Sequence, residues 1–371
     1  MGTIILFILV LSLLVFVHEL GHFFMARRMG MRVEEFGFGF PPKIFGVRRG
    51  ATEYSVNWIP LGGFVRIKGE SGDHRFDSDS FASKAPWKRF LVLIAGVVMN
   101  LVLAAALFSV GYMVGLPSVV DGTLPDNAVI ADENILLMSV LDGSPAEEAG
   151  LVAGDELVSV DNRVFENESD VRSFISEGQQ ESFSVVVEKA DGTHRTYDVV
   201  PAYLEEIEKE GIGVGFVSTG VVSYPFFSAV GHGVTTTGML TWEVIKAFYD
   251  LIRNLVVHQE VGIELSGPVG IAVMTGEVAA LGFVYLIQFT AILSINLAII
   301  NAFPFPALDG GRILFLLLEK IRGKTLDDRI ENLVHNTGFL LLMLLVVMVT
   351  FRDFFTFGDQ ILGAIKGVIG V

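Results

Sequence analysis

Four stretches of this chain are apolar for long enough to cross a lipid bilayer, and nothing else in the sequence constrains the fold as much. A crossing helix needs about 20 apolar residues. The stretches fall at about 3–25, 90–115, 282–303 and 337–352, and the third has an interrupted continuation to 318. Hydrocarbon offers peptide groups no hydrogen-bond partner, so each stretch is read as a helix that satisfies its own backbone. Composition agrees. Hydrophobic residues make up 51% of the chain and charged residues 18%, with a mean hydropathy of +0.57. The first stretch is not read as a cleaved signal peptide, because it lacks a basic leader and carries His18, Glu19 and His22 inside its apolar run.

Charge sets the expected topology. Residues 116–222 hold 22 acidic and 5 basic side chains, whereas residues 27–89 hold 12 basic and 7 acidic ones. Lysine and arginine stay on the cytoplasmic side. That side therefore takes the loop after the first span (Arg27, Arg28, Arg32, Lys43 and onward) and the connection between the third and fourth (Lys320, Arg322, Lys324, Arg329). Residues 116–281 and both termini then lie outside, as in a multi-pass protein of the cytoplasmic (inner) membrane. No basic face outweighs the acidic middle, which excludes nucleic acid as a partner. The chain has no cysteine, so any metal must be held by His, Asp or Glu.

The outer segment is patterned as a small soluble α+β domain. Strand-like runs at Ile135–Val140, Glu156–Val160, Ser182–Val187 and Tyr197–Val200 alternate with turns such as Asp-Gly at 142–143 and 191–192. A helix is expected over Ser169–Glu177, with Ser169 and Asp170 suited to its N-cap. Residues 224–257 have the spacing of amphipathic helices. On the cytoplasmic side, residues 52–68 read as a hairpin: "TEYSVNWI", a "PLGG" turn, then "FVRIKG".

Chemistry enters at "VFVHELGHFF", residues 15–24. His18 and His22 are four apart, so one helix face presents both to a single ion, and Glu19 can reach a water there without being a ligand. This is the H-E-x-x-H arrangement of zinc hydrolases. Charged groups are costly at membrane depth and mark function when present. A catalytic zinc takes a third protein ligand. The candidate is Asp309 in "NAFPFPALDGGR", residues 301–312. Pro304 and Pro306 must break the third span just before it, and broken helices at membrane depth line cavities. The remaining histidines, 74, 194, 232, 258 and 335, have no spaced partner and read as ordinary polar residues.

These motifs together resemble the site-2 protease family of intramembrane zinc metalloproteases, in its bacterial RseP-like branch. "EEFGFGFPP" (34–42), "PLGGFVRIKGE" (60–70), "FASKAPWKRFLVLIAGVVMN" (81–100) and "LSGPVGIA" (265–272) look like family landmarks. "GSPAEEAGLVAGDELVSVDNRVF" (143–165) resembles a PDZ domain of the bacterial protease-associated kind. Two positions depart from the usual pattern: Gly96-Val97 stands where a Gly-Pro is common, and Ala302-Phe303 replaces a pair of aliphatics.

The resemblance implies that His18, His22 and Asp309 bind Zn2+ and that Glu19 is the catalytic base and acid. It implies a polytopic α-helical membrane protein of about four transmembrane helices, with a membrane-associated β-hairpin and an inserted α+β PDZ domain. The expected parts are an N-terminal membrane domain (1–121), an extracytoplasmic PDZ domain (122–203), an amphipathic-helix linker (204–281) and a C-terminal membrane domain (282–371). The implied substrates are transmembrane segments of single-span proteins, such as anti-sigma factors or signal-peptide remnants, cut after a first protease has trimmed them. Asn301 and Asn100, with Pro304 and Pro306, are candidates to hold an unwound substrate. Either asparagine could instead join two spans. Other readings are a catalytically silent scaffold that binds partners through its PDZ domain, or an anchored ectoprotease. The intact H-E-x-x-H disfavours the first and its intramembrane place the second.

Overall fold

The computed structural model describes every residue except 1, 73, 121–123, 126, 179–180, 190–191, 205–208, 258–265, 325–326 and 359–371. His258, Leu265 and the Asp191 half of the expected 191–192 turn lie outside the described residues. In chain order, helix α1 (Gly2–Arg28) precedes strands β1 (Val33–Arg49) and β2 (Thr52–Ile67) and helix α2 (Pro86–Val114). Next come β3 (Leu116–Val119), β4 (Val129–Val140), α3 (Pro145–Ala149), β5 (Glu156–Val160), α4 (Glu168–Glu177) and β6 (Phe183–Glu188). They are followed by β7 (His194–Val199), β8 (Ala202–Leu204), β9 (Lys209–Gly211) and β10 (Val214–Ser223). Helices α5 (Phe226–Val257), α6 (Pro268–Leu281), α7 (Phe283–Ala302), α8 (Asp309–Arg322) and α9 (Asp328–Thr356) follow. The chain divides into two compact units: Met1–Val110 with Val230–Val371, and Gly111–Ala229.

In the first unit, α1, α2, α7 and α9 are long and apolar enough to cross a membrane. Leu340, Leu341, Leu344, Leu345, Val347 and Met348 on α9 are all exposed, as a lipid-facing helix requires, since lipid tails are as apolar as leucine. The break after the third span falls where the prolines put it, between Ala302 and Asp309. Helix α6, expected in the outer linker, instead packs on α1, α7 and α9. Its 14 residues are too few to announce a span. Asp353 of α9, only 2% exposed, accepts from the amides of Gly267 (3.0 Å) and Gly270 (2.8 Å) at the start of α6. The carboxylate thereby serves the helix as an N-cap.

The strands between α1 and α2 differ from the expected hairpin. The turn is Gly50–Ala51, between β1 and β2, and not "PLGG". Residues on both sides of "PLGG" pair with one shared stretch: Phe36 faces Val65 and Tyr54, and Gly37 faces Phe64 and Ser55. "PLGG" therefore connects two strands that flank a third. It also lies along α1, where Ser12 Oγ donates to the Pro60 carbonyl. Phe23, Met31, Val33, Phe36, Ile67 and Val92 form the core that fixes β1 and β2 to α1 and α2.

The second unit is a six-stranded antiparallel sheet in the order β3-β10-β4-β5-β6-β7. Leu137, Val160, Val171, Phe183, Val185 and Val187 are central to its core. It reaches beyond 122–203, because β3 and β10 complete the sheet from either end of that range. Asn167, rather than Ser169 or Asp170, caps α4 and accepts from the Asp170 amide at 2.9 Å. Where the chain enters and leaves this unit, the Tyr224 amide donates to the Tyr112 carbonyl at 2.9 Å and the two rings meet edge to face at 5.5 Å.

Candidate metal centre

Helix α1 runs unbroken through His18 and His22, so their spacing of four puts both rings on one face, edge to face at 4.8 Å. Both are 6% exposed. His22 Nδ1 lies 2.8 Å from the Val92 carbonyl on α2. A carbonyl can only accept, so Nδ1 carries the proton and Nε2 presents a lone pair. His22 Nε2 sits 3.2 Å from His18 Nε2 and 3.2 Å from Asp309 Oδ2, and His18 Nε2 is 3.0 Å from the same oxygen.

Asp309 arrives there as the first residue of α8, after the chain leaves α7 at Ala302. The intervening turn folds back tightly. A Cβ on Gly310 would strike the carbonyls of Ala302 and Phe303, and one on Gly311 that of Phe305. The turn is also tied to α9. His335 Nδ1 accepts from the Ala307 amide at 3.0 Å, so this histidine is not an ordinary polar residue as its sequence context implied. Pro306 packs against Gly338 of the same helix.

The donor set fits zinc. Tetrahedral bonds of about 2.0–2.2 Å put ligand atoms about 3.3–3.6 Å apart, and the three separations found, 3.0, 3.2 and 3.2 Å, need open by only a few tenths of an ångström to take the ion. Two nitrogens and a carboxylate are also its preferred kind of ligand where cysteine is lacking. The space around the rings is made by Gly96 of α2. A Cβ there would lie 2.5 Å from His22 Nε2 and 2.6 Å from His18 Cε1. Val92 and Gly96, one turn apart on α2, thus shape the pair of histidines, and no local signal in the sequence marks either one.

Glu19 is aimed differently. Its Oε2 accepts from the Val65 amide of β2 at 3.0 Å, and it lines a cavity of about 130 Å3 with His22, Asp309, Phe64 and Val65. The structure therefore gathers His18, Glu19, His22 and Asp309 about one cavity or its edge. Asn301 lies half-buried on the last turn of α7, Pro304 is exposed and Pro306 half-buried. Asn100 is fully buried in α2. Beside the centre, Arg312 pairs with Glu70 and Arg89 with Glu319 at 3.0 Å, around a polar cavity of about 200 Å3.

Comparison with known proteins bears on the whole chain. The profile of peptidase family M50 matches residues 6–345. A putative zinc metalloprotease of Clostridium perfringens is 35% identical over 352 residues, covering 94% of this chain and 98% of that protein. The regulator of sigma-W protease RasP of Bacillus subtilis is 32% identical over 433 residues, covering 95% of this chain and 98% of its own. Among solved structures, the PDZ domain of an SdrC-like protein of Listeria monocytogenes matches 24% of this chain and 92% of its own, at 19% identity and a TM-score of 0.21. Agreement over nearly the full length of both curated relatives settles the lineage: the chain belongs to peptidase family M50 and is a multi-span membrane zinc metalloprotease.

Proposed function

We propose that the chain cuts peptide bonds inside the transmembrane segments of single-span proteins, with His18, His22 and Asp309 holding zinc and Glu19 moving the proton. The observation that carries this reading is the convergence of three ligand atoms among helices long enough to span a membrane. Zinc in that position supplies a Lewis acid for the scissile carbonyl and for the attacking water. Val92 keeps the His22 tautomer that offers Nε2. Glu19, held by the Val65 amide, takes a proton from water as oxygen adds to the carbonyl carbon. It returns that proton to the nitrogen as the C–N bond breaks.

A helical substrate must first unwind, and the freed backbone groups then need partners. Asn301 and the turn at Pro304 and Pro306 stand beside Asp309 in sequence and are assigned to that task. The exposed apolar strand region around Ile44, Phe45, Val47 and Trp58 suits pairing with an extended segment. The basic loops orient the protein with its site toward the cytoplasm of a bacterial inner membrane and the inserted unit outside. Relatives include a regulator of sigma-W protease; for this chain we take anti-sigma factors as the first class of substrate, with signal-peptide remnants a second group. The inserted unit serves as a filter that turns away substrates with bulky outer domains, so a first cut by another protease precedes this one.

Purified full-length protein tests the assignment. Glu19→Gln should retain zinc yet cleave a single-span substrate at least about 10²-fold more slowly. His22→Ala and Asp309→Ala should lose the metal. Equal cleavage by wild type and Glu19→Gln would overturn the mechanism.

A further inference from the structure

The two zinc-side histidines are not equally supported. His22 Nδ1 is held by the Val92 carbonyl, whereas His18 Nδ1 is buried and has no partner among the described residues. Metal-bound histidines nearly always donate their second N–H to an oxygen, which fixes the ring and strengthens the ligand. One side chain on the facing helix is in the matching condition. Asn100 is 0% exposed, and neither its Oδ1 nor its Nδ2 has a partner among the described residues. A buried primary amide left so is costly.

The register of the helices brings the two together. Val92, Gly96 and Asn100 recur every four residues along one face of α2. Val92 meets His22, and the Cβ position of Gly96 lies 2.8 Å from His18 Nδ1. Asn100 is the next residue along that face, and helical side chains lean toward the N-terminus of their helix, here toward Gly96. Ser294 of α7 donates to the Asn100 carbonyl at 2.8 Å, which anchors this turn of α2.

We infer that Asn100 is the positioning residue for His18: its Oδ1 accepts the His18 Nδ1 proton, by a side-chain rotation or through one water. It is to His18 what the Val92 carbonyl is to His22. The inference rests on the zinc assignment above and gives Asn100 a task apart from holding substrate.

The test uses full-length protein in detergent, with zinc affinity read by chelator competition and the visible spectrum of the cobalt-loaded protein. Asn100→Leu should weaken zinc binding about 10- to 100-fold and alter the cobalt bands. Asn100→Asp, which keeps an acceptor oxygen, should restore both. Should Asn100→Leu fail to fold, wild type and Asn100→Asp labelled with 15N-histidine still decide the matter. In both, with zinc bound, the His18 Nδ1 signal must be that of a protonated, hydrogen-bonded nitrogen. Affinity and cobalt bands unchanged in Asn100→Leu, or an unprotonated His18 Nδ1, would overturn the inference while leaving the zinc set standing. Equal zinc binding by wild type and His22→Ala would instead remove the zinc assignment, and this inference with it.

Discussion

A side chain is excluded at Gly96 because two imidazoles occupy the place where it would project. The nearest of their atoms are 2.5 and 2.6 Å from the Cβ position, well inside ordinary van der Waals contact, and both belong to rings that lock into a helix and a ligand set. Neither ring can retreat without abandoning Asp309. Gly96→Ala should therefore lose stoichiometric zinc and all measurable cleavage while the protein remains helical, as metal analysis and circular dichroism would show. Position 96 illustrates what sequence can and cannot disclose at this scale. His18, Glu19 and His22 are legible because an i, i+4 pair is local: one helix suffices to align it. Gly96, Val92 and Val65 act on those residues from other elements, through a crossing of α1 with α2 and of α1 with β2. No spacing in the chain encodes such a crossing. The role of His335 is hidden in the sequence for the same reason, since its partner is a backbone amide in the turn before Asp309.

Among elements, prolines were the most informative. Pro304 and Pro306 cannot continue a helix, so the chain had to break and restart where Asp309 now begins α8. Elsewhere such punctuation does not decide the pairing or packing of the element it bounds. "PLGG" has every attribute of a turn, yet residues 33–38 lie between the strands it joins, and only long-range pairing decides that. Helix α6 falls within the expected linker 204–281, and its 14 residues are fewer than a span needs. Its place beside α1, α7 and α9 is secured by Asp353, which supplies two amides at the start of α6 with an acceptor. Asp353→Ala leaves those donors unmet and should destabilise the membrane unit by about 1–2 kcal/mol. The measurement is a lowered thermal midpoint in detergent, and an unchanged midpoint would mean that water caps α6 equally well.

At the scale of the molecule, the span count and the presence of a folded unit inserted between α2 and α5 are legible from hydropathy and turn chemistry. The extent of that unit is not: β3 and β10 close the sheet from opposite ends of the insertion, and strand pairing across so long a separation leaves no local trace. The true boundaries matter for the filter proposal. Removing 122–203 would take away β4 to β7 and leave the β3–β10 pair with the edge of β10 that held β4 unpaired. Replacing 113–223 with a short glycine-serine loop removes the sheet whole. That variant should cleave substrates that retain bulky outer domains, and the unaltered chain should not. A variant with unaltered selectivity would count against a filter.

The pairing of Tyr112 with Tyr224 has a consequence for how such a protease can change its targets. The polypeptide departs and rejoins through a doorway one hydrogen bond wide, the condition under which domain insertion is best tolerated. The stretch between them is a cassette. Exchanging it for another folded module with adjacent ends should redirect the enzyme to new clients without disturbing a single residue of the chemistry.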